Sequence, residues 1–150
     1  MTPKQQLEGM LSKFTPAVAG RARKALATLR KLTPGALELV YDNFNALAIG
    51  FSPSERSSQG ILSIAVYPRY PTLFLLQGVG LPDPDGVLRG SGSRVRHVVL
   101  EDAKTLDSKP VRKLIALALA RAKVKLDPKQ KHRILIKAVA KRQRPRRPTP

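Results

Sequence analysis

ALELVYDNFNALAIGF, residues 36–51, carries a period of two on either side of a polar break. Leu37, Leu39 and Tyr41 alternate with Glu38, Val40 and Asp42. Asn45, Leu47, Ile49 and Phe51 then alternate with Ala46, Ala48 and Gly50. Successive side chains of a strand point to opposite faces, so this pattern predicts two strands. Asp42-Asn43 between them has the chemistry of a hairpin turn. The small set Ala46, Ala48 and Gly50 predicts a sheet face that a helix can approach closely.

Working outward, SPSERSSQG (52–60) is a polar loop, and ILSIAVY (61–67) and TLFLLQ (72–77) are two more strands. Their nearly continuous apolar character suggests central positions in a sheet. Residues 78–93 form a long loop with LPDPDG and GSG, and Arg94–Leu100 follows as a strand with Val95, His97 and Val99 on its core side. Upstream, Thr2-Pro3 and Thr15-Pro16 read as helix starts, an N-cap followed by proline where its missing N–H costs nothing. Leu7, Met10, Leu11 and Phe14 mark one apolar stripe; Val18, Ala22, Ala25, Leu26 and Leu29 mark the next. Downstream, Ser108 or Asp107 caps a helix running through Lys123, with Val111, Leu114, Ile115, Ala118 and Ala122 facing inward. RILIKAV fits helix and strand alike; a helical turn and then a strand over 133–140 is the reading adopted. The expectation is an α+β fold, a single antiparallel sheet of five or six strands packed against N-terminal and C-terminal helices. One domain covers residues 1–140, and residues 141–150 form a flexible arginine-rich tail with three prolines.

Five segments carry a resemblance: YDNFNALAIGF (41–51), ILSIAVYPRY (61–70), LFLLQGVGLPDPDGVLRGSGSRVRHVVL (73–100), LDSKPVRKLIALALARAK (106–123) and the closing KRQRPRRP (141–148). They resemble the YdhG-like family of bacterial domains of unknown function over nearly the whole chain. The resemblance implies one antiparallel sheet backed by helices and brings no reaction. One branch of that family resembles frataxin, which binds iron through an acidic surface. Ten carboxylates under a net charge of +18 do not supply such a surface, so the iron role is not carried over.

Charge is the strongest functional signal. Residues 101–150 hold 16 basic and 4 acidic groups, two thirds of the net excess. Such a lopsided distribution points to a polyanion partner. The tail is densest, with Lys141, Arg142, Arg144, Arg146 and Arg147 within seven residues, and arginine offers paired donors to phosphate. No helix-turn-helix, zinc-finger or RNA-recognition pattern accompanies it, so binding to RNA or DNA is expected to be non-specific. The alternative is a small anionic ligand at the glycine-rich loop 86–93, with Arg89, Gly90, Ser91, Gly92, Arg94 and Arg96 supplying N–H groups and cations. A further candidate pocket gathers Tyr41, Asn43, Asn45, Tyr67 and Arg69 at strand ends.

Cysteine is absent, and two distant histidines make no metal site. Asp83 and Asp85 fail the calcium-loop spacing and serve a turn. No nucleophile elbow, triad or carboxylate pair can be assembled, so the chain is read as non-enzymatic and without a cofactor. With Glu8 interrupting the first residues and no apolar run near twenty, it is expected to be soluble and cytoplasmic.

Overall fold

The computed structural model describes residues 1–149. Two helices open the chain, α1 (Pro3–Leu11) and α2 (Pro16–Leu32). Both start at the Thr-Pro pairs. Thr2 accepts from the Gln5 N–H while Gln5 reaches back to the Thr2 N–H, a reciprocal capping box, and Thr15 accepts from Val18. Strands β1 (Leu37–Asp42), β2 (Leu47–Ser52), β3 (Leu62–Val66) and β4 (Pro71–Leu75) form an antiparallel meander, and β5 (Arg96–Val99) completes it at one edge. After α3 (Lys109–Arg121), strand β6 (Ile134–Val139) lies against β1 at the other edge. The sheet order is β5-β4-β3-β2-β1-β6.

The α+β class and the six strands agree with the sequence, and residues 134–139 are strand. One feature departs from the antiparallel expectation: β6 runs parallel to β1, with a register shift at Val40/Tyr41. An antiparallel pair can be joined by a tight turn, whereas a parallel neighbour needs a crossover. Here the chain returns from β5 at the opposite edge by way of α3.

The three helices pack on one face of the sheet. Leu47, Ile49 and Phe51 of β2 join Ile64, Leu73 and Val98 from their neighbours in a single buried cluster with the apolar stripes of all three helices. Registers place Glu38, Val40 and Asp42 on this same face, because they pair with Phe51, Ile49 and Leu47. Ala48 and Gly50 therefore look away from the helices, the reverse of the expected close approach. Large apolar side chains fill the inter-layer space, and burying each contributes about 1.5–3 kcal/mol.

The β5 face assignment is likewise corrected. Val98 and Leu100 are the buried pair, while Val95, His97 and Val99 are only partly covered. His97 lies on the side away from the helices with its ring 5.4 Å from that of Phe74. The α-helices pack on the first face, yet Leu37 and Leu39 of β1 are buried on the second, 2% and 1% exposed. The stretch after β2 reaches across β1 there, with Glu55 accepting from Arg133 and Lys137 of the β6 region.

Candidate nucleic-acid interface

Buried carboxylates shape the charge distribution. Glu38 is wholly buried and accepts two hydrogen bonds from the Arg30 guanidinium at 2.7 and 2.9 Å; His132 contacts the same carboxylate. The hydrogen bond to Glu38 holds the Arg30 guanidinium above its ordinary value against the opposing effect of partial burial. Asp42, at the other end of β1, is paired with Arg146 at 2.8 Å. The remaining ion pairs are Arg23–Glu8, Arg112–Asp107 and Arg133–Glu55. Asp83, Asp102 and Asp127 accept backbone N–H groups. Five of the 28 lysines and arginines thus have a carboxylate partner among the described residues. The remaining 23 cations are offset by only five other carboxylates, which leaves the formal net excess of +18.

The tail differs from its sequence expectation. Arg146 is 6% exposed and is removed from the set of cations available to a partner. Its guanidinium donates to Asp42 and to the carbonyls of Asn43 and Phe44, and it lies 5.8 Å from the Phe14 ring centre. The adjacent residues follow it onto the body. The Arg144 N–H donates to Phe44 O at 2.8 Å, its guanidinium stacks over the Phe44 ring at 5.6 Å, and Arg147 Nε donates to Lys13 O. A cation over an aromatic face is attracted by the ring quadrupole, which fixes the head without neutralising it. Lys141, Arg142, Arg144 and Arg147 remain exposed.

This docking joins two groups of residues that the sequence left apart. Asn45, Tyr67 and Arg69 line an open cleft of about 710 Å³ together with Arg144, Arg147 and three prolines. No carboxylate lines it. Tyr41 and Asn43, placed in the same pocket by sequence, do not; Asn43 is occupied by the β1–β2 turn, its N–H donating to Ala46 O.

The glycine-rich loop behaves differently from its expected anion site. Arg96 donates to Gly92 O and Val95 O, and Arg89 donates to Gly86 O. Both guanidinium groups are turned onto the loop's own carbonyls, and the Arg89 backbone pairs with His97. Gly90 has φ +114°, in the region that favours glycine, so it shapes the loop. Arg94 points elsewhere. It lines a second cleft, about 570 Å³, with Arg121, Lys123, Ser58, Gln59 and Gln77. Arg121 and Lys123 were invisible as site residues because only the crossing of the α3 end past the β4–β5 loop brings them to Arg94; Arg121 donates to Val79 O across this junction.

Compared with protein-family models, curated proteins and solved structures, the chain matches none. No group of three or more potential metal ligands occurs among the described residues, and no described helix is long and apolar enough to cross a membrane.

Proposed function

We propose that the chain is a non-enzymatic, basic domain that binds nucleic acid without sequence preference, holding phosphates in the cleft between the β3–β4 turn and the docked tail. The observation that carries this reading is the convergence of Arg69, Arg144 and Arg147 on one carboxylate-free cleft. Arginine forks match phosphate oxygens in pairs, and tethering reduces the freedom given up on binding. The uncompensated charge elsewhere would steer a polyanion towards the surface. Backbone contacts of this kind position a strand and read no sequence. The resemblance to the YdhG-like family fits beside this reading and assigns no reaction.

The test is a salt titration of oligonucleotide affinity with Arg69→Ala, Arg144→Ala and Arg147→Ala, separately and together. All three side chains can be truncated without touching the buried Arg146. Removing one phosphate-binding cation is expected to reduce the slope of log affinity against log salt by about 0.7–0.9. A triple variant with unaltered affinity and slope refutes the cleft.

The Arg94 cleft supports a second reading, a small anionic ligand held by Arg94, Arg121 and Lys123. Inorganic phosphate or a dicarboxylate is then expected to raise the melting temperature of the wild type and not of Arg94→Ala. A ligand present at about 100 times its dissociation constant stabilises by about 2.7 kcal/mol, enough to read by thermal scanning. An equal rise in both proteins removes this reading.

A further inference from the structure

The helix-free face of the sheet holds a concentration of aromatic side chains that neither cleft explains. Tyr41, Phe74 and His97 occupy it by register, and each is partly exposed. Tyr67 and Tyr70 extend its alternation beyond the ends of β3 and β4, joined by the Tyr67 N–H donating to Tyr70 O, and are 37% and 39% exposed. All three tyrosines of the protein thus fall in step on one side of the sheet. An alternative fate for large aromatic side chains, burial in the core, is taken by Phe14 and Phe51.

Between these rings the surface is low. Ala48, Gly50, Ser63 and Ala65 pair with one another across β2 and β3. Tyr41 on β1 and Phe74 on β4 lie on either side of this strip, three strand spacings or roughly 14 Å apart across the sheet and two residues out of step along it. The result is a floor of small side chains with aromatic groups on either side. Glu38 and Asp42 are on the covered face, and Glu55, which reaches across β1 on this side, is paired with Arg133. Tyr67 belongs to both surfaces, as it also lines the cleft of Arg69, Arg144 and Arg147.

We infer that this face is a base-stacking platform for single-stranded nucleic acid, with the bases over the sheet and the phosphates leading into the arginine cleft. The inference rests on the proposed nucleic-acid function and adds its substrate class. Every base has a flat π-face, so stacking on aromatic side chains is tolerant of sequence but requires unpaired bases. A duplex hides those faces and presents only phosphates to the arginines. The charge of the rim selects a polyanionic occupant over a second copy of this chain, which would bring +18 against +18.

Fluorescence anisotropy of the full chain tests this with labelled strands of about ten nucleotides, within the range of single-strand binding sites. The probes are single-stranded DNA, single-stranded RNA of matched sequence, the matched duplex, and a strand of the same length lacking bases. The wild type is expected to prefer either single strand to the abasic strand and the duplex by about tenfold or more. Phe74→Ala and Tyr70→Ala, neither of which lines the arginine cleft, are each expected to weaken single-strand binding about tenfold, with little change on the abasic strand and an unchanged salt slope. Phe74→Trp should retain the preference. Because Tyr70 is 39% exposed, its variant keeps the test open if Phe74→Ala does not fold. Equal affinity of the wild type for single and abasic strands overturns the platform and leaves the arginine cleft standing. Failure to bind any of the probes overturns both. A concentration-dependent dimer that Tyr70→Ala dissociates assigns the face to self-association and also overturns the platform.

Discussion

Asp42→Ala is expected to destabilise the protein by about 3–5 kcal/mol, because it strands a buried guanidinium. Side-chain exposure is 4% for Arg146 and 2% for Asp42, so neither can recover hydration without moving the tail. Asp42 Oδ2 and Arg146 Nε already lack a protein partner, which makes the pair costly even when intact. That asymmetry yields a second arm: replacing both residues together, Asp42→Leu with Arg146→Met, is expected to restore most of the stability. Urea unfolding measures both, and for a chain of this size the single substitution corresponds to a fall in melting temperature of roughly 10 °C. Limited proteolysis supplies a structural readout, since releasing Arg146 should expose residues 141–149 to cleavage. A destabilisation below about 1 kcal/mol would mean that the tail is not clamped in solution. It would also undo the arginine cleft, whose tail side is positioned by this ion pair.

The same pair shows where the sequence was legible and where it was not. Period-two alternation located the strands, and Thr-Pro located the helix starts, because both signals act over a few residues. The face that each strand buries was less readable. In β1 the apolar set Leu37, Leu39 and Tyr41 outranks Glu38, Val40 and Asp42 by hydrophobicity, yet the second set faces the helices. That choice is stable because Arg30, eight residues before Glu38, and Arg146, 104 residues beyond Asp42, supply the opposing charges. No window of local sequence contains the second partner. His97 was misplaced for a related reason: valines occupy both faces of RVRHVVL, so parity alone could not choose between them.

Functional residues followed the same division. The arginine-rich tail was plain as composition, and its exposed members are those the proposed phosphate binding requires. The meeting of Arg144 and Arg147 with Asn45, Tyr67 and Arg69 depends on a tail that returns to the β1–β2 turn, a contact over about a hundred residues. The aromatic face depends on four strand registers at once. The sequence grouped Tyr41 and Tyr67 in a pocket at strand ends, but the shared side that also takes in Phe74 and His97 follows only from those registers. Once β6 and the tail are docked, the molecule separates its resources: helices and buried ion pairs on one side, rings and small residues on the other, with arginines at the end where the two meet.

Gly35 controls that docking at the opposite end of β1. It lies in the turn from α2 into β1 with φ +86°, which costs a residue with a side chain roughly 1–2 kcal/mol. A Cβ there would stand 1.8 Å from Asp127 O and 2.6 Å from its carbonyl carbon, both backbone atoms. No rotamer change relieves such an overlap, so the segment entering β6 must shift. Gln130 ties the same segment down by donating to Gly35 O at 2.7 Å and to Pro53 O at 2.9 Å. Gly35→Ala is therefore expected to cost about 2–5 kcal/mol, the strain of the backbone plus the penalty of overpacking. The damage should begin at the edge strand, so amides of residues 134–139 should lose hydrogen-exchange protection before those of β2 and β3 do. A variant with wild-type stability and a protected β6 would show that the approach of Asp127 is loose, and with it the seating of the strand that leads into the tail. Fraying of β6 should in turn weaken strand binding through the arginine cleft even though no arginine has been altered.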